Sequence, residues 1–336
     1  MLMENYGFAR ILTVLARGYL FHNPDGTQRA DDPKERKMRD YYIYGFRLFS
    51  NIELKNISSF CNQPYNGILR LNFIRKELGE SHWIIKLEEN DGKYILNIGD
   101  HIIYHICPIN NCITVYSSNE TLVESTIINL PFAVFAITQN SLLLHASVLV
   151  CKNTLIPICA SKGTGKTTLT AAMSKFLPFF SDDTLYINLN NGNFATYQGS
   201  TTMKMFCDSA SALTLSAVSD KVNIQNKGYY YPTLVTESQL KKDDNSLCKL
   251  FFLFRENRQN ILIEEIKSQH SKNMYLHANI CGAEVLGFEY CKRIIHSQLY
   301  KKMMLEISFY KLCIPDGLAR LPDIAKKTAK LMNDMT

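Results

Sequence analysis

The nine residues Ala160-Ser161-Lys162-Gly163-Thr164-Gly165-Lys166-Thr167-Thr168 restrict what this chain can fold into more than any other segment. They follow an apolar run, residues 155–159, and precede a stretch compatible with a helix to residue 177. Gly163 and Gly165 let the backbone curl so that successive N–H groups point inward, and a helix opening near Lys166 adds the positive end of its dipole. The pattern is that of a phosphate loop, with Ala160 where its first glycine often stands. In such a loop Ser161, Lys162, Gly163, Thr164 and Gly165 wrap the phosphates. Lys166 reaches the β and γ phosphates, the Thr167 hydroxyl ligates Mg²⁺, and Thr168 touches the α phosphate. The expected cofactors are ATP and Mg²⁺. Kinases, ATPases, GTPases and motors all use loops of this kind, so the reaction must be argued from other residues.

The flanking segments supply the strand, loop, helix, strand order that the loop needs. Strands are predicted over residues 142–150 and 154–159, a helix over 166–177 and a further strand over 179–189. Upstream, short apolar runs at residues 42–48, 68–73, 83–87, 94–98, 102–106 and 112–116 read as strands. Asp91-Gly92 and Asn110-Asn111 sit where hairpins would turn. Residues 6–20 read as an amphipathic helix, 23–39 as a loop or linker, and 120–138 as helical. Beyond the loop domain's first half, strands are predicted at 247–254 and 261–266, and helices at 282–311 and 321–332. The expected fold is α/β (α+β), with a smaller β-rich domain over residues 1–125 and a phosphate-loop domain over 126–336.

Composition narrows the partners. Lys plus Arg exceed Asp plus Glu by 37 to 31, but the basic residues are scattered apart from short pairs such as Lys241-Lys242, Lys301-Lys302 and Lys326-Lys327. Such pairs are solvated faces, and no nucleic-acid partner is expected. The ten cysteines are dispersed with no Cys-x-x-Cys pair, which favours reduced thiols in a cytoplasmic protein. The longest apolar stretch, residues 127–137, contains Pro131 and falls short of the roughly 20 residues a membrane helix needs, so no membrane is expected. His101 and His105 would lie on one face of a strand, with no clear third ligand for a metal.

Asp182-Asp183 lies one helix beyond the loop, inside the apolar run Phe179-Phe180-Ser181-Asp182-Asp183-Thr184-Leu185. Two carboxylates beside a triphosphate have two separate jobs, one holding Mg²⁺ and one accepting a proton from the attacking hydroxyl. His145, in Leu142-Leu143-Leu144-His145-Ala146-Ser147, reads on spacing alone as a core histidine of a hydrophobic strand.

Taken in this order, His145, the loop at 160–167 and Asp182-Asp183 resemble the C-terminal kinase domain of HPr kinase/phosphorylase, and the likeness covers residues 142–189. It implies a kinase domain of the HPr-kinase/PEP-carboxykinase type. It also implies that His145, Lys166 and Thr167 are functional, that Asp183 is the proton acceptor toward a serine hydroxyl, and that Asp182 is left to the metal. The whole-chain layout resembles smaller relatives found beside ribosomally made peptides, including lasso-peptide kinases. The phrase Tyr44-Gly45-Phe46-Arg47-Leu48-Phe49-Ser50, the segment Tyr197-Gln198-Gly199 and the strand Met203-Lys204-Met205-Phe206 carry that likeness. It implies a peptide or small-protein acceptor, with self-association left open.

The chain departs from the bifunctional enzymes at Thr196-Tyr197-Gln198-Gly199, where their Leu-Glu-Ile-Arg-Gly signature has an acid and an arginine. The reverse reaction, phosphate attacking phosphoserine, is therefore not expected. Lys221, in Asp220-Lys221, is the cation offered in the arginine's place, against the plain reading of a surface lysine, and no second cation near the acidic pair is legible. The rival functions are a kinase for a small metabolite and a nucleotide-gated binding module without catalysis.

Overall fold

The computed structural model describes residues 37–55, 57–59, 65–78, 84–215, 227–230 and 246–336. Lys221, the helix expected at residues 6–20 and all but the last three residues of the loop expected over 23–39 lie outside them.

The first eight strands form one sheet. They are β1 (Arg39–Ile43), β2 (Phe46–Ser50), β3 (Ser58–Ser59), β4 (Gly67–Arg75), β5 (Ile85–Asn90), β6 (Lys93–Ile98), β7 (Ile102–Cys107) and β8 (Cys112–Ser117), in the order β3-β1-β2-β4-β8-β7-β6-β5. The single strand expected over 42–48 is instead a hairpin, because Tyr44 and Gly45 both take positive φ, 53° and 78°, and reverse the chain. Asp91-Gly92 turns as expected, both residues with positive φ, the conformation that two-residue hairpins favour.

Two helices follow, α1 (Glu120–Ile127) and α2 (Leu130–Thr138), in place of the continuous helix expected. Asn129, at φ −106° and ψ −100°, breaks the path, and Pro131 restarts it at a position where the missing N–H costs nothing. The residues from Pro131 to Ala136 are all buried, as a helix apolar on every side must be. It packs against β7 of the first sheet and β9 (Leu142–Leu144) of the second. No single described helix is long and apolar enough to cross a membrane.

The second sheet contains β9, β10 (Ala146–Cys151), β11 (Thr154–Cys159), β12 (Phe179–Asn190), β13 (Asn193–Ser200), β16 (Lys249–Glu256), β17 (Leu262–Glu265) and β18 (Ser308–Pro315). Its order is β13-β12-β10-β11-β16-β18-β17, with β9 also on β12. The remaining elements are α3 (Lys166–Met173), the short strands β14 (Met203–Phe206) and β15 (Lys227–Tyr230) with α4 (Cys207–Ala212) between them in the chain, then α5 (Gln269–Ala278), α6 (Phe288–His296), α7 (Gln298–Glu306) and α8 (Leu321–Met335). Residues 308–311 were expected to continue a helix. They open β18, which pairs along its length with β16, and this long-range pairing overrides the helix-forming residues that precede it.

One apolar core runs without a break from the first sheet through α1 and α2 onto one face of the second, and a second core under α3 and α8 covers the other face. Strands buried on both faces read as continuous apolar runs, which is how β10 and β11 read.

Candidate active site

The loop leaves the end of β11, whose parallel neighbour is β16, and enters α3 at Lys166. Gly163 and Gly165 sit at φ +87° and +95°, in the left-handed region. A Cβ on Gly163 would touch nothing within 4 Å, so there the backbone angle alone demands glycine. Thr164 N donates to Ser161 O at 3.2 Å and tightens the turn. No side chain caps the start of α3, so its first N–H groups remain available to an anion.

Asp182 is buried at the heart of the site. Its Oδ1 accepts from the Ser147 hydroxyl and from Thr167 Oγ1 at 3.1 Å, and its Oδ2 accepts from Lys204 N at 3.3 Å. Lys166 Nζ, also buried, donates to Ser147 Oγ at 3.0 Å. Ser147 thus bridges the loop lysine and the carboxylate. Burial pushes Asp182 above the usual carboxylate range, against the pull of Lys166 and with the repulsion of Asp183.

Adjacent strand residues ordinarily point to opposite faces, so two neighbouring aspartates cannot both face one cavity from a regular strand. Here β12 carries a bulge. Asp182 pairs with Ser200 and Leu185 with Gln198, so that Asp183 and Thr184 together oppose Gly199. Asp183 takes φ +67°, rare for a residue with a side chain, and both carboxylates line the same cavity. A hydrogen-bonded frame holds this strained residue. Ser181 Oγ donates to Thr184 O at 2.8 Å and accepts from Gly199 N at 3.0 Å. Tyr44 of the first sheet lies 2.5 Å from Thr184 Oγ1 through its hydroxyl, which also donates to Ile128 O at 2.8 Å.

Gly199 is required by space. A Cβ there would lie 2.8 Å from Thr184 O and 2.9 Å from the Tyr44 ring. Gly199→Ala should therefore cost about 1–3 kcal/mol, the usual range for overpacking. A thermal melt unchanged from wild type would show that the bulge is not held as described.

His145 falls between β9 and β10, where the strand expected over 142–150 breaks. Leu144 pairs with Leu185 on one side of the bulge, and Val148 with Ser181 on the other. Its Nδ1 lies 3.3 Å from Asp183 Oδ1. Burial, reinforced by Lys166 and opposed by Asp183, lowers the imidazole to about 4, so His145 is neutral at pH 7 and lies against the carboxylate as an uncharged ring. Asp183 itself is pushed up by burial, but His145, Lys166 and Lys204, with a hydrogen bond from Asn129, outweigh this and hold it below the usual range.

A histidine at about 4 when folded and about 6.5 when unfolded takes up its proton first in the unfolded chain. His145 therefore destabilises the fold as pH falls from about 6.5 to 4, and is without effect above that window. His145→Gln should lose less melting temperature than wild type between pH 7.5 and pH 5. An equal or larger loss in the variant would contradict this.

These residues line a cavity of about 550 Å³ together with Arg255, Lys204, Phe206 and Lys227. Arg255 pairs with Asp316 at 2.7 Å. Sequence reasoning had not assigned Lys204, Lys227, Ser147, Asn129 or Arg255. Lys204 alone left a trace, as the one charge inside the apolar strand Met203–Phe206. The expectation that no second cation stands near the acidic pair is corrected by Lys204 and Lys227, and the electrostatic ground for excluding a second anion goes with it.

Among the described residues no group of three or more His, Cys, Asp or Glu could hold a metal on protein ligands alone. The adjacent oxygens of Thr167 and Asp182 instead suit an ion that takes its other ligands from water and phosphate, as Mg²⁺ does. The uncapped helix start, the open glycines and Lys166 suit the phosphates themselves.

The two sheets and the helices packed on them make the class a mixed α/β fold. No family model matches the chain, and no curated protein matches it. Among solved structures it is similar to the Hpr(Ser) kinase/phosphatase from Coxiella burnetii, at 14% identity over 57% of this chain and 97% of that one, with a TM-score of 0.28. That is a distant likeness.

Proposed function

We propose that this protein is an ATP-dependent kinase that transfers the γ-phosphoryl group to a hydroxyl, with a serine of a peptide or small protein, such as a ribosomally made precursor, as acceptor. The observation that carries the reading is the bulge at Asp183, which turns both carboxylates of an adjacent pair toward the phosphate loop. A nucleotide-binding module has no need of that strain, whereas a transferase needs one carboxylate on the metal and another on the acceptor.

Bound ATP with Mg²⁺ would supply the phosphoryl group and part of the charge that neutralises it. The backbone of residues 161–168 holds the phosphates, and Thr167 with Asp182 holds the metal. Lys166 stabilises charge on the transferring group. Asp183 accepts the proton of the attacking hydroxyl, and neutral His145 orients its carboxylate. A carboxylate held below the usual range is a weak base, but it is always ionised near neutral pH. Phosphoryl transfer through a loose transition state asks mainly that the hydroxyl be positioned.

The test is incubation with γ-labelled ATP, Mg²⁺ and two acceptor pools, serine peptides and hydroxylated metabolites. Label in the peptide pool is the expected result, and label in the metabolite pool alone would move the acceptor class to small molecules. Tight ATP binding with label in neither pool and no turnover would overturn the kinase reading.

A further inference from the structure

The β14–β15 strand pair borders the cavity, and apart from the hold of Lys204 on the acidic pair it has no part in the chemistry above. Its strands pair Met203 with Tyr230, Lys204 with Tyr229, Met205 with Gly228 and Phe206 with Lys227. Met203 and Met205 are buried in the core under α3 and α8, so strand alternation turns Lys204 and Phe206 to the other face. Lys227 stands directly across from Phe206, its Nζ 4.5 Å from the ring centroid, and Phe206 is 48% exposed. Both lysines line the same cavity as the phosphate loop and the acidic pair.

The strand pair begins beside the carboxylates, since Lys204 N donates to Asp182 Oδ2. Its lysines and Asp183 therefore face one cavity. Burial lowers both Lys204 and Lys227; the charge of Lys162 adds to this for each, and that of Lys204 for Lys227, while Asp183 opposes it. Lys204 and Lys227 put two positive charges on the cavity wall next to an exposed aromatic face. Like charges gathered at a cavity wall favour an anionic ligand.

We propose that this strand pair is a second oxyanion site, in which Lys204 and Lys227, beside Phe206, hold a carboxylate or phosphate carried by the acceptor near its reacting hydroxyl. The acceptor's part in this rests on the kinase reading, while the binding of an anion does not.

The first arm of the test titrates inorganic phosphate into protein saturated with ADP and Mg²⁺, and into nucleotide-free protein, by calorimetry. One phosphate should bind without displacing ADP. Lys227→Gln should weaken it on the order of tenfold, the worth of one charge-assisted hydrogen bond, with ADP affinity unchanged within about twofold and Lys227→Arg restoring most of the loss. Lys204→Gln gives a second reading of the same site should one variant fold poorly. The second arm presents serine peptides flanked by Glu or by Gln with γ-labelled ATP, and Glu-flanked peptides should be labelled preferentially in wild type and not in Lys227→Gln.

Absence of phosphate binding, competition with ADP, or indifference to both lysine substitutions would overturn the site. Lysine-dependent phosphate binding with equal labelling of both peptide sets would overturn its role toward the acceptor. Failure of ADP to bind at all would count against the kinase reading instead, because the nucleotide-free titration still reads the lysines.

Discussion

Lys166→Ala should abolish phosphoryl transfer and weaken ATP binding together. The ammonium acts on the phosphates in the ground state and on the charge that develops during transfer, so both kcat and KM suffer. Loss of one preorganised donor to the reacting centre typically costs about 10²–10³ in kcat, and the loss here should be at least that. Lys166 is buried and its Nζ reaches Ser147 Oγ, which itself donates to Asp182. Removing the charge also strips Asp182 of its main favourable partner, since Lys166 is what opposes the burial of that carboxyl. The variant should accordingly be less stable than wild type at neutral pH, because a buried carboxylate loses its compensation. Lys166→Met, which keeps most of the side-chain volume, separates the two effects: it should recover packing and not transfer. Measurable transfer near the wild-type rate in either variant would remove Lys166, and the loop with it, from the active site.

The second large effect is expected from the acidic pair, and it differs between the two positions. Asp183→Asn keeps the shape of the residue and the loop's hold on phosphate, so ATP affinity should stay within a few fold while turnover falls by about 10²–10⁴, the range for losing a general base. Asp182→Asn should instead raise the Mg²⁺ concentration needed for half-maximal rate, because its Oδ1 sits beside Thr167 Oγ1, the pair of oxygens offered to the metal. The two environments already differ: Asp182 is wholly buried and raised, whereas Asp183 is part exposed, lowered and in contact with His145. Saturating Mg²⁺ should rescue much of the Asp182 variant and none of the Asp183 variant. Identical behaviour of the two would show that the carboxylates do not divide the work.

Local order was legible along the chain wherever neighbours in sequence supply the cause. The apolar run at residues 155–159, the two glycines and the start of α3 made the phosphate loop visible, because a left-handed glycine and a strand-to-helix turn need only adjacent residues. The hairpin at Asp91-Gly92 was visible for the same reason. The adjacency of Asp182 and Asp183 named the chemistry but not the geometry. In a regular β12 the second carboxylate would have pointed away from the first.

What turns it back is a register shift against β13 opposite Gly199, held by Ser181 and by the Tyr44 hydroxyl 140 residues earlier in the chain. On the other side of β12 the bulge falls where pairing stops between Leu144↔Leu185 and Val148↔Ser181, and His145 sits in that break, where sequence periodicity drew an unbroken strand. Lys204 and Lys227 lie on separate short strands, and only their pairing brings both charges to the cavity beside Asp183. Residue types and turn-forming angles are properties of short stretches of chain. Which face a side chain presents, and which charges it meets, depends on strand register, and register is settled by partners far away in sequence.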